Sequence, residues 1–180
     1  IVDQNTLKVK KLLEPGDGPN QLISGTIWSL LDDELGNIWV GTRESGIQIV
    51  NKRDFTMTTL SDVEVPEFKL NGIRTMFLTR SKKILAGTEK GLFVIDRLTH
   101  RVTKVYPTPG KQSAETEQSI KCIYQDSEGN LWLGTNGGGI HMLDSNYHKI
   151  HTLSTESGLL NNVVYGILPQ NAHSLWVSTN

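Results

Sequence analysis

Cysteine is almost missing from this 180-residue chain: Cys122 stands alone, so no disulfide within the chain staples the fold, and the redox compartment stays open. Long apolar runs are missing too. No stretch approaches the about 18 residues of a membrane-spanning helix, and no leader of charged then apolar residues opens the chain. Neither sign of charge prevails, since 18 Lys and Arg meet 19 Asp and Glu for a net charge of -1, scattered along the sequence without a basic stripe. That excludes the electrostatic footprint of a nucleic-acid surface. No segment keeps apolar residues three and four apart for long, so helices are not expected. Paired acids of the kind glycoside hydrolysis requires are absent from the apolar runs; Glu115 and Glu117 fall in a polar loop, where solvated charge is the default.

Glycine is plentiful, with 17 residues, and its placement repeats. The stretch Gly129-Asn130-Leu131-Trp132-Leu133-Gly134-Thr135 recurs as Gly36-Asn37-Ile38-Trp39-Val40-Gly41-Thr42, in part as Ile84-Leu85-Ala86-Gly87-Thr88, and again as Ser174-Leu175-Trp176-Val177-Ser178-Thr179. The anchors Trp39, Leu85, Trp132 and Trp176 follow one another at steps of 46, 47 and 44 residues. A period of that length marks a propeller blade or a solenoid unit, which must stack on its neighbours to bury its apolar faces. An alternating run precedes each anchor: Ile27 to Leu31, Ile73 to Phe77, Ile120 to Tyr124 and Val164 to Leu168. A turn opened by Asp33 or Asp126 joins run to anchor as a hairpin. After the anchor come a Gly-bearing turn, a third apolar run and a more polar fourth. Four short antiparallel strands per repeat describe a β-propeller blade.

The predicted fold is therefore all-β, a propeller arc of about four four-stranded antiparallel blades and a fragment of a larger ring. Residues 1–21 read as an outer half-blade, 22–69, 70–116 and 117–158 as three blades, and 159–180 as an inner half-blade. Either the two halves meet and complete one blade, or the chain is an arc cut from a bigger ring. The arc is preferred, and pairing of two arcs would then satisfy the exposed faces. The connections Ser61 to Lys69, Pro107 to Gln118 and Ser154 to Asn162 differ in length and composition, as recognition loops on a fixed scaffold do.

The pattern Val/Ile-x-x-Ile/Leu-Leu-x-Asp-x-x-Gly-Asn-Leu-Trp-Val-Gly-Thr-x-x-Gly-Gly-Ile resembles the two-component regulator propeller repeat. Ile120 to Ile140 matches nearly throughout and Ile27 to Ile47 well. Ile73 to Leu92 lacks the Asp, Gly-Asn and Trp, and the last copy has Ser178 in place of a Gly. The resemblance implies a non-enzymatic ligand-sensing segment of the periplasmic sensor region of a hybrid two-component system. In such systems a propeller region is fused across the membrane to a histidine kinase. It further implies self-association of propeller protomers, while a carbohydrate or oligosaccharide signal is expected from the residues at the channel mouth. A propeller lyase or glycosidase fragment and a protein-interaction scaffold remain as alternatives.

Within the motif, the Trp rings are expected to fill the gap between blades, and Gly41, Gly87 and Gly134 to permit close backbone approach. Gly137-Gly138-Gly139 lacks the Lys and Ser/Thr of a phosphate loop and reads as a hairpin turn, so no cofactor is expected. Positions that depart from the repeat say more. Trp28, Arg74, Lys121 and Tyr165 fall at the second residue of the four inner strands, near the mouth of the central channel. Planar rings stack on a pyranose while Arg and Lys hold hydroxyls, a uronate or a sulfate, which makes these four the candidate ligand site. Packing of the two rings between blades is the competing reading. Asn71 and Asn162 read as caps of the entering turns. His141, His148 and His151 do not converge, because residues three apart on a strand face opposite ways, so no metal is expected. Cys122 shares its slot with Ser29, Thr75 and Gly166, which predicts a small buried side chain.

Overall fold

The computed structural model of this chain describes residues 1–60, 65, 68, 72–106, 119–171 and 173–180. The alternating runs form strands wherever the β-branched and aromatic residues cluster. β1 (Ile27–Asp32), β2 (Asn37–Thr42), β3 (Ile47–Asn51) and β4 (Met57–Thr59) make a first antiparallel sheet in chain order. β5 (Ile73–Leu78), β6 (Ile84–Thr88), β7 (Gly91–Ile95) and β8 (Val102–Tyr106) make a second. The third consists of β9 (Ile120–Gln125), β10 (Leu131–Thr135), β11 (Ile140–Leu143) and β12 (Lys149–Leu153). β13 (Val164–Asn171) and β14 (Ser174–Thr179) pair only with each other. Innermost strands β1, β5, β9 and β13 lie side by side in that order. These are three propeller blades and an inner half-blade in an open arc. At the start, residues 1–10 form a hairpin held by a single bridge, Val2 to Val9, rather than two extended strands. The connections at 61–64 and 107–118 lie outside the described residues, and Glu115 and Glu117 with them.

One hydrogen-bond set explains why Asp, Gly-Asn and Trp travel together. The Asp33 carboxylate accepts from the amides of Leu35 (2.8 Å) and Asn37 (3.0 Å), from Asn37 Nδ2 (2.8 Å) and from Trp39 Nε1 (3.1 Å). Asp126 repeats this with Glu128, Asn130 and Trp132 Nε1 (2.9 Å). Gly36 and Gly129 take the positive φ that the turn requires. In the second blade Leu85 has no side-chain N–H to place, and Thr79 closes the turn: its Oγ1 accepts from the Lys83 amide, lies 3.1 Å from the Lys83 carbonyl and shares a hydrogen bond with Ser81 Oγ at 3.0 Å. A buried carboxylate there would have lost one donor, so Asp and Trp are absent as a pair. The motif threonines act alike. Thr42, Thr88 and Thr135 each donate Oγ1 to the carbonyl of Gly46, Gly91 or Gly139, closing the next turn.

Blade stacking is set by the glycines after the anchor. A Cβ on Gly41 would fall 2.2 Å from Ser29 Oγ and 2.8 Å from Ile73 Cγ2 of the next blade. On Gly87 it would meet Thr75 and Ile120, and on Gly134 Cys122 Sγ at 2.3 Å and Val164. Only a hydrogen fits, as close approach predicts. Cys122 thus occupies a confined slot, and burial pushes its thiol up to about 11, which keeps it a poor nucleophile.

The anchors report how each blade is covered by the one after it. Trp39 is 0% exposed beneath Ile73, Ile84 and Phe93 of the second blade, its ring edge-on to His100 at 5.4 Å. Leu85 is equally buried beneath Ile120, Leu131 and Leu133 of the third. Trp132 faces the half-blade and is only half-buried. Trp176, on the half-blade at the end of the arc, is 63% exposed among the described residues. Leu168 beside it is 65% exposed. At the other end of the arc, Leu12, Leu22, Leu30, Ile38, Val40 and Val50 bound an apolar cavity of about 770 Å³. Arg97 Nη1 of the second blade donates to the Asp33 carbonyl of the first at 2.7 Å, and Lys82 pairs with Glu34. These contacts latch neighbouring blades at the end opposite the inter-blade loops.

Trp39→Ala lowers the unfolding free energy by about 3–5 kcal/mol in urea melts. Trp176→Ala changes it by under about 0.5 kcal/mol, as for an exposed side chain; equal losses would show that the half-blade end is covered. Burial works against the ionised Asp33 and Asp126, but the donors around them outweigh it and hold both carboxyls below their ordinary value. A lowered folded value contributes stability above the ordinary carboxylate value near 4 and loses it as pH falls through the lowered one. Paired Asp33→Asn and Asp126→Asn substitutions therefore flatten the fall in stability between about pH 5 and pH 2. An unchanged acid slope in urea melts would remove these carboxyls as its source.

Candidate functional site

Each inner strand carries a β-bulge at its second residue. Ile27 pairs with Thr42 and Ser29 with Gly41, so Trp28 is skipped. Arg74 is skipped between Ile73 and Thr75, Lys121 between Ile120 and Cys122, and Tyr165 between Val164 and Gly166. A bulge takes a residue out of the ladder and re-aims its side chain. The same defect at the same place in four consecutive sheets lines up Trp28, Arg74, Lys121 and Tyr165 along the inner rim.

These four interact in two pairs, each bridging a blade joint. The Arg74 guanidinium stands 4.2 Å from the centre of the Trp28 ring, and Lys121 Nζ stands 4.6 Å from that of Tyr165. Both are cation–π distances. Arg43 approaches the Trp28 ring more loosely, at 6.0 Å. Gly72 makes room for this arrangement: a Cβ there would come 2.4 Å from Trp28 Cζ3 and 2.7 Å from the Arg43 carbonyl. Trp28 therefore packs at the joint between the first two blades, half-buried, with Arg74 over its ring. Tyr165 is 52% exposed.

A second residue per blade joins the row, the one after each motif threonine: Arg43, Glu89, Asn136 and Asn180. Among the eight positions stand three cations and one carboxylate. Glu89 Oε1 accepts from Arg74 Nη2 at 2.7 Å. Arg74 Nε is buried without a hydrogen-bond partner. Lys121 is held below its ordinary value, first by burial and then by the charge of Arg74. The rim is thus a narrow electropositive band with aromatic rings at both ends. Glu89, Gly72 and Arg43 are additions to the four residues read from the strands.

The other sequence candidates fall elsewhere. Asn162 is a turn cap, its carbonyl accepting from the Gly137 and Gly139 amides and its Oδ1 from the Thr155 amide. Asn71 lies outside the described residues. His141 is buried with Nδ1 2.7 Å from the Tyr106 hydroxyl, while exposed His148 pairs with Asp144. His141, His148 and His151 do not share a centre, and no group able to hold a metal occurs among the described residues.

Replacing Arg74 by Gln should move the Lys121 pKa upward without restoring its ordinary value, since burial remains. Titration of the lysine side-chain resonances reads this; an unmoved Lys121 would show the two cations to be uncoupled.

Residues 21–44 and 115–137 match the family described as two component regulator propeller. Curated protein sequences give no match. Among solved structures, the extracellular domain of a putative hybrid two component system from B. thetaiotaomicron is similar at 18% identity and a TM-score of 0.69, over 84% of this chain and 22% of that one. Another such domain from the same organism is similar at 22% identity and a TM-score of 0.56, over 91% and 27%. PorZ, a surface component of the type-IX secretion system of Porphyromonas gingivalis, aligns at 18% identity and a TM-score of 0.68, over 98% and 27%. At these identities the likeness concerns the fold, and the chain spans about a quarter of each of these proteins. No helix among the described residues is long and apolar enough to cross a membrane.

Proposed function

We propose that this chain, whose residues 21–44 and 115–137 match the two component regulator propeller family, is a ligand-sensing segment of the periplasmic sensor region of a hybrid two-component system, with an oligosaccharide as the signal. The observation that carries the reading is the bulged row. Four side chains leave the sheet at equivalent positions, two cations flanked by two rings along one rim. Rings at the two ends suit the apolar faces of sugar units, and Arg74 and Lys121 between them suit hydroxyls or an acidic substituent. The role is recognition rather than catalysis. A glycosidase would need paired carboxylates at this rim, and Glu89, the one side-chain carboxylate of the eight positions, is tied to Arg74. Binding across the blade joints would change how two sensor protomers are arranged, and so bias a kinase beyond the membrane.

The double variant Arg74→Ala, Lys121→Ala weakens binding of tri-galacturonate at least about tenfold, the loss expected when two charged hydrogen bonds go. Its melting temperature stays close to the parent's, because both side chains are partly exposed. Unaltered affinity in calorimetry would remove both residues from the site.

A further inference from the structure

Three observations at Arg74 do not add up to a finished ion pair. Glu89 engages Arg74 through one oxygen on one nitrogen, Nη2, and leaves the neighbouring Nε buried with no acceptor. A guanidinium edge offers Nε and Nη2 together to a carboxylate or sulfate, and the two-pronged contact is the stronger one. Lys121, the next cation along the rim, has no carboxylate partner among the described residues, and its charge is already opposed by burial and by Arg74. Of these two cations, only Arg74 meets a carboxylate, and through one of its two edge nitrogens. The pair is half-exposed, with side chains 30% and 49% accessible, so it holds the fold together only weakly. Glu89 also sits in the tight turn between β6 and β7, beside Lys90, whose amide is held by Thr88 Oγ1. It reaches the rim from a different element than the bulged residues do.

We infer that Glu89 is an internal occupant of an anion position formed by Arg74 and Lys121, displaced when a ligand bearing a carboxylate or sulfate group binds. The inference rests on the reading of the bulged row as the ligand site and adds the class of ligand and the residue that discriminates for it. A neutral ligand leaves Glu89 on Arg74 and meets a rim whose central cation is occupied. An anionic ligand replaces Glu89, takes Nε and Nη2 together, and brings a counter-charge to Lys121. Glu89 then sets specificity by competition: it excludes weakly held anions and admits those that also stack on Trp28 or Tyr165. No bond is made or broken, and the net charge of the rim falls toward neutral only in the liganded state.

The test compares the parent chain with Glu89→Gln and Glu89→Asp, using tri-galacturonate and neutral galactotriose in calorimetry and inorganic sulfate in a chemical-shift titration of the Arg74 Nε–H. The expected result is that Glu89→Gln binds tri-galacturonate about fivefold more tightly, the factor gained when a half-exposed ion pair no longer has to be opened. Galactotriose affinity stays unchanged, sulfate shifts the Nε–H at lower concentration than in the parent, and Glu89→Asp falls between the two. A merely structural Glu89 would lower the melting temperature of Glu89→Gln and leave anion affinity flat or reduced, which overturns the inference. Tri-galacturonate bound equally by parent and Glu89→Gln overturns it too while leaving the ligand site standing. A sulfate response without binding of either sugar keeps the displaced carboxylate and removes the oligosaccharide reading.

Discussion

The structure depends on one constraint: a four-stranded sheet of this size cannot bury its own anchor, so each blade is finished by the blade after it. Trp39 and Leu85 lie fully beneath their successors, Trp132 is half covered by two strands, and Trp176 stands in the open. Exposure at one repeated position thus counts the strands stacked on it. The glycines at 41, 87 and 134 serve the same requirement from the backbone side, since a methyl group at any of them would hold the sheets apart. Within the first and third blades the carboxylate of Asp33 or Asp126 ties turn and indole into one unit. A ring held by its N–H arrives at the joint already oriented.

That local unit was legible in the sequence, because its parts repeat with the period of the blade. The steps between Trp39, Leu85, Trp132 and Trp176, the runs that became β1, β5, β9 and β13, and the small slot of Cys122 all show without coordinates. The bond between Trp and Asp did not, although its trace was visible: both residues vanish together from the second copy, where Thr79 and Leu85 stand instead. Exposure of Trp176 could not be read either, since it depends on what lies beyond a blade rather than on the blade itself.

The rim was half legible. Counting along the inner strands placed Trp28, Arg74, Lys121 and Tyr165 at equivalent positions, and they are equivalent in space. Counting alone could not reveal that each is a bulge, because a skipped residue is defined by its partner strand. Nor could it show that cation and ring associate across blades, Arg74 with Trp28 and Lys121 with Tyr165. Glu89 and Gly72 were hidden for a related reason. Glu89 belongs to a turn and meets Arg74 across its own blade, and Gly72 belongs to a connection and meets Trp28 of the blade before it. Sequence periodicity reports what a repeat shares, whereas contacts between unlike residues of successive repeats have to be seen.

The repeated bulge carries one more implication. A residue in register must suit the neighbour across its ladder, so its identity is constrained by pairing. The skipped residue has no cross-strand partner, and here Trp, Arg, Lys and Tyr occupy the same slot while the flanking pairs Ile27 to Thr42 and Ile73 to Thr88 stay alike. The scaffold therefore separates the chemistry displayed on its inner edge from the architecture that displays it. Drift at four such slots can rewrite what that edge displays while the flanking ladder pairs stay as they are.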